Sequence, residues 1–123
     1  MAIVDTNLGK KNIFTAYDEN SVSVDGKNYT NNVLLLHNQL IENWTNATFA
    51  TLTEEDFAML GNFDVEIILL GTGKTQQFPS AHLLQSLIAK NKAVDAMTTH
   101  AACRTYNLLV GDYRRVLAAI LVK

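Results

Sequence analysis

The stretch Val65-Glu66-Ile67-Ile68-Leu69-Leu70-Gly71-Thr72-Gly73 decides the fold. Its run from Val65 to Leu70 is short and apolar except for Glu66, as expected for a strand covered on both faces. Such strands sit in sheets flanked by helices, where neither face meets water. The two glycines then let the chain leave the sheet along a tight or closely packed path, because neither carries a Cβ.

Downstream, Pro79 and Ser80 announce a helix. Leu83, Leu84, Leu87 and Ile88 form its apolar stripe at helical spacing, and Asn91 is a stop signal. Ala93 to Met97 reads as another short strand. Thr98 or Thr99 caps a further helix reaching about Val110. Gly111-Asp112 turns the chain, and Arg115 to Val122 returns as a last strand. The order β-α-β-α-β predicts an α/β sandwich around a mainly parallel sheet.

Upstream, the chain is β-rich. Asn12 to Tyr17 alternates weakly around Ile13 and Phe14, and Ser21-Val22-Ser23-Val24 alternates cleanly. Asp25-Gly26 tolerates positive φ and favours a tight hairpin turn, after which Tyr29 begins the return. Val33 to Leu36 is a buried strand, whereas His37 to Thr51 carries no clear period. Thr53 caps a short helix opened by Glu54-Glu55-Asp56, with Phe57 and Leu60 inward and Gly61 at its end.

The chain has 123 residues, enough for one domain with one core, so 1–123 is read as a single unit. Its net charge is -2, with ten Lys plus Arg and no basic run longer than Lys10-Lys11 or Arg114-Arg115. A phosphate-tracking surface needs clustered positive charge, so nucleic acid is not an expected partner. Cys103 is the sole cysteine, which precludes an intrachain disulfide and suits a reducing compartment. Met1 to Lys11 has no secretory apolar core, and Val116 to Val122 is too short to span a bilayer. A cytoplasmic protein without a transmembrane segment is expected. The sequons at Asn28, Asn43 and Asn46 are then chance matches.

The glycine loop continues as Gly71-Thr72-Gly73-Lys74-Thr75, which invites comparison with a phosphate loop. That motif needs a glycine five positions before the second glycine, where Ile68 stands. The dinucleotide fingerprint fails because Gln76 replaces its third glycine. A different site remains. If strands 65–70 and 93–97 are parallel neighbours, the loop and the start of the next helix share the carboxyl edge of the sheet. Open α/β sheets place ligands there.

The candidate pocket therefore lies between Gly71, Thr72, Gly73 and Lys74 and the helix start at Thr99 to Cys103. On that helix, Ala102, Cys103, Tyr106, Leu109 and Val110 share the packing face. His100, Arg104 and Asn107 fall on an adjacent polar face. Arg104 offers a planar fork for a carboxylate or phosphate. Cys103 would be a nucleophile only if His100 reached it; its place on the apolar stripe favours plain packing. His37 and His82 show no metal-ligand spacing, and no metal or cofactor is expected.

Beyond these local signals, three blocks carry a family resemblance. They are Val65 to Gly73 followed by Gln77-Phe78-Pro79, then Val94-Asp95-Ala96-Met97-Thr98-Thr99, then Ala101-Ala102-Cys103-Arg104-Thr105-Tyr106-Asn107. In this order they resemble the Mth-nine-three-eight-like domain family of unknown function, over nearly the whole chain. That family includes a mitochondrial assembly factor for respiratory complex I. The resemblance implies a three-layer α/β fold with a mixed central sheet and a last strand antiparallel to its neighbours; the N-terminal strands read above add a small antiparallel β layer. It implies a noncatalytic interaction or assembly role with protein partners, respiratory subunits or assembly factors among them, and leaves room for homo-oligomers. It supplies no catalytic residues. The alternative expectation is an anion-binding protein or enzyme using the sheet-edge pocket near Gly71–Gly73 and Arg104.

Overall fold

A computed structural model describes residues 11–122 of the chain. The reading of Met1 to Lys10 lies outside these residues. Eight strands and three α-helices follow one another in the described part. They are β1 (Phe14–Tyr17), β2 (Val22–Val24), β3 (Lys27–Tyr29), β4 (Val33–Leu36), β5 (Gln39–Glu42), α1 (Glu54–Leu60), β6 (Ile67–Gly71), α2 (Gln85–Ala89), β7 (Val94–Met97), α3 (Thr99–Gly111) and β8 (Val116–Ile120).

The central sheet has the order β5-β4-β8-β6-β7. Strand β6 runs parallel to both β7 and β8, while β4 runs antiparallel to β8 and β5. The sheet is therefore mixed. The last strand is antiparallel to one neighbour only; on its other side it completes a parallel pair. Both of its neighbours are reached through crossovers, which is why periodicity alone does not reveal its direction.

Residues of β4, β6 and β8 alternate between two cores. Val33, Leu35, Leu69, Ala118 and Ile120 join Ala102, Cys103, Tyr106 and Val110 of α3 on one face. The small antiparallel sheet β1-β2-β3 closes that core through Phe14, Val22 and Val24. Leu34, Ile68, Leu70, Leu117 and Ala119 face α1, α2 and Trp44 on the other. With both faces covered, β4 and β8 have no exposed residue, as a continuous apolar run demands.

Local chemistry sets the element ends. Asp25 and Gly26 both adopt positive φ, 51° and 87°, so the two-residue turn between β2 and β3 matches the strand twist. Thr53 and Asp56 exchange side-chain and backbone hydrogen bonds in a capping box at α1.

Two sequence expectations shift. The helix announced by Pro79-Ser80 begins at Gln85, because Leu83 and Leu84 first close tight turns onto Ser80 and Ala81. Its last stripe residue, Ile88, is exposed rather than packed. The strand β5 lies within the stretch that showed no period. Its four residues put Leu40 and Ile41 on opposite faces between polar ends, too little alternation to recognise.

Candidate functional site

Parallel pairing of β6 with β7 brings their carboxyl ends together, and the chain exits both strands into one place. Thr72 N–H donates to Met97 O at 2.8 Å, extending the pairing past the last strand residues. Thr98 then caps α3: its hydroxyl accepts from Ala101 N–H at 3.2 Å. The loop and the helix start are tied reciprocally. Gly73 N–H donates to Thr99 Oγ1 at 2.9 Å, and Thr99 N–H donates to Gly73 O at 2.9 Å. The Thr99 hydroxyl in turn donates to Leu121 O at 2.7 Å, fastening the end of β8 to the same point.

Beside this knot lies a concave pocket of about 200 Å³. It is lined by Gly73 and Lys74, by Thr98, Thr99 and His100, by Val122, and by Asp18, Glu19 and Ser21 of the turn between β1 and β2. Of the residues proposed from sequence, Gly73, Lys74, Thr99 and His100 meet here. The others do not line it, each for a physical reason.

Gly71 is packed under the start of α3. Thr72 is buried with its hydroxyl committed inward: it donates to Thr75 O at 2.6 Å and accepts from Gln77 N–H at 3.2 Å. Cys103 is fully buried, and burial pushes its thiol up to about 12. His100 is exposed and tilted against Tyr17 with ring centroids 4.3 Å apart, and among the described residues no hydrogen bond joins it to Cys103, so the base that an activated thiol needs is not in place. Arg104 is exposed and outside the pocket lining. Asn107 clamps β1 instead: its Oδ1 accepts from Phe14 N–H at 2.9 Å and its Nδ2 donates to Phe14 O at 2.8 Å.

Sequence reasoning named Thr98 only as a helix cap and missed Asp18, Glu19, Ser21 and Val122. Val122 is brought there by the end of β8, whereas Asp18, Glu19 and Ser21 reach the pocket through folding of the small sheet over α3, a long-range packing event with no local signature. They also change its charge. Lys74 Nζ pairs with Glu19 Oε1 at 2.8 Å, an exposed pair that spans the two walls. Asp18 Oδ1 accepts from Asn20 N–H and from the Ser21 hydroxyl, each at 2.9 Å. These bonds, with a smaller contribution from His100, hold its carboxyl below the usual carboxylate range. The anion reading loses Arg104 and gains two carboxylates on the wall.

A family model described as a protein of unknown function (DUF498/DUF598) matches residues 14–121. The "13 kDa major membrane protein" of Francisella tularensis subsp. holarctica is 43% identical over 56 residues, 46% of this chain and 46% of that protein. The bovine (Bos taurus) "NADH dehydrogenase (ubiquinone) 1 alpha subcomplex assembly factor 3" is 26% identical over 108 residues, 86% of this chain and 58% of that protein. The chain thus spans about half the length of the curated relatives it matches. Among solved structures, a Xanthomonas campestris protein is 30% identical with a TM-score of 0.84, covering 99% of this chain and 92% of that one. A Bordetella pertussis protein described as a Mth938-like domain is 26% identical with a TM-score of 0.74, covering 89% of this chain and 85% of that one.

Proposed function

The chain belongs to the family of proteins of unknown function (DUF498/DUF598) that has the Mth938-like fold, and from that premise we propose that it is a small interaction protein, an accessory or assembly factor for a respiratory NADH dehydrogenase complex. The observation that carries this reading is the likeness to the bovine assembly factor over 86% of the chain. A likeness of that extent takes in the central sheet and both cores rather than one motif. The role asks for protein contact and no covalent chemistry from the chain.

The surface supports such contact. Phe78, Leu108 and Tyr113 are 72%, 76% and 80% exposed, large apolar groups of a kind that anchors interfaces. Trp44 is not among them: it is buried and its indole N–H donates to Ile120 O. Among the described residues no helix is long and apolar enough to cross a membrane. The proposed role has the chain reach its complex from the cytoplasmic side.

Affinity capture from native cells tests the proposal. The wild-type chain should retrieve NADH dehydrogenase subunits or their assembly factors. A variant carrying Phe78→Ser, Leu108→Ser and Tyr113→Ser should retain its fold by circular dichroism and retrieve fewer of them. Reproducible recovery of unrelated metabolic proteins alone would overturn the reading.

A further inference from the structure

The central sheet ends at β7 on one side and at β5 on the other, and the two edges are finished differently. At β7, Thr72 N–H donates to Met97 O, so Met97 turns its backbone groups to β6 and Ala96 turns its own outward. Gln76 folds back onto that edge, its Nε2 donating to Ala96 O at 3.0 Å. In the small sheet, Asn107 takes both backbone groups of Phe14 on β1, and β3 is three residues long and begins with Lys27. Side-chain cover, short length and a lysine are ordinary ways of closing a strand edge.

Strand β5 has no such closure. Asn43 N–H donates to Asn32 O at 2.8 Å, one step beyond the Val33–Glu42 pair. Antiparallel partners alternate between hydrogen-bonded and non-hydrogen-bonded pairs. Gln39 and Ile41 therefore turn their backbone groups to Leu36 and Leu34, while Leu40 and Glu42 turn theirs away from the sheet. Among the described residues, no side chain or loop bonds the N–H or C=O of Leu40 or Glu42. The strand contains neither proline nor lysine, and its register with β4 has no bulge. Asn43, with φ of 55°, turns the chain directly after Glu42, and the turn at His37 and Asn38 bounds the other end.

The occupant that matches this edge is a second copy of the same strand. A two-fold axis normal to the sheet beside Ile41 sets two β5 strands antiparallel, with Leu40 opposite Glu42 of the second copy and Glu42 opposite its Leu40. These are the outward residues, so each pair exchanges two hydrogen bonds, four in all. Ile41, half-buried on the face of α1 and α2, meets its own counterpart at the axis. The only charge in β5, on Glu42, lies opposite a leucine, so no like charges oppose each other. A strand of equal length also fills the edge without running into the turns that bound it. We propose that the chain forms a two-fold dimer through β5, joining two five-stranded sheets into one. Stable interfaces bury roughly 1,200–2,000 Å², more than four hydrogen bonds and two isoleucines supply, so the dimer is weak and reversible, with a Kd of about 0.1–1 mM.

Sedimentation equilibrium of the full chain, from about 20 μM to about 1 mM, should show monomer passing reversibly into dimer. Over the same range the amides of Leu40 and Glu42 should shift and exchange more slowly with solvent, while those of β7 stay unchanged. Glu42→Pro removes an outward N–H from each copy, and with it two of the four bonds, and should weaken dimerisation about tenfold or more. If that variant unfolds, a mixture of isotope-labelled and unlabelled wild type decides, through an NOE between the Ile41 methyl groups of different copies. A monomer at every concentration would overturn the proposal and leave the edge to an extended segment of another protein. So would concentration-dependent shifts confined to other surfaces, an undiminished dimer in folded Glu42→Pro, or a dimer lacking the Ile41 NOE. The capture experiment reads Phe78, Leu108 and Tyr113 instead, so the two readings fail separately.

Discussion

A Cβ at position 71 would stand 3.0 Å from Ile120 Cδ1 and 3.1 Å from both Cα and Oγ1 of Thr99. Two of these neighbours belong to the residue that locks loop, helix and β8 together, so they have little freedom to yield. Gly71→Ala should therefore destabilise the fold by about 1–3 kcal/mol, the usual cost of overpacking, read as a lower urea midpoint. Gly111→Ala is the control, since a Cβ there meets nothing within 4 Å. Cys103 yields a pH prediction. Burial raises its thiol from 9.0 to about 12, so between those values the unfolded chain has lost a proton that the folded chain keeps. Stability should be unaffected by this group below about pH 9 and fall as pH rises toward 12. Burial shifts the Tyr106 phenol in the same direction, adding to the decline at the alkaline end. Urea midpoints from pH 7.5 upward check this, and Cys103→Ala should flatten the slope. At this scale the sequence was partly legible. The packing stripe of α3 and the glycine exit could be read from spacing, but the use of Asn107 as a clamp could not. Its partner is the backbone of Phe14, 93 residues away, and a backbone group leaves no mark in a side-chain pattern.

The small sheet β1-β2-β3 depends on that clamp. Strand β1 meets α3 through Phe14, whose ring sits edge-on to Tyr106 at 5.2 Å, and through the two bonds from Asn107. Three short strands have little cohesion by themselves. Asn107→Leu would leave the Phe14 N–H and C=O without these partners, at a cost of about 1–3 kcal/mol. Hydrogen exchange should quicken at Phe14 before it quickens in β4 or β8. Uniform acceleration across both sheets would mean that the small sheet is not a separate unit. The same element explains why the pocket was only half legible. One wall follows from β6, β7 and the cap of α3, all local signals. The other is the turn holding Asp18, Glu19 and Ser21, whose position is set by how the small sheet lies on α3.

For the whole molecule, the alternation of β4, β6 and β8 between two cores was readable as continuous apolar runs, because a strand buried on both faces needs no polar side. Strand order was not. Nothing in Val116 to Ile120 says that it inserts between β4 and β6, or that it accepts an antiparallel partner on one side and a parallel one on the other. That insertion bears on synthesis. A ribosome makes the two flanking strands long before the strand that joins them. Until residues 116–120 emerge, any β4-β5 hairpin or β6-β7 pair that forms has an inner edge with no neighbour. Open apolar edges recruit whatever strand is at hand. The nascent chain is thus exposed to wrong pairing from the emergence of β4 to that of β8, and its sheet closes only when β8 arrives.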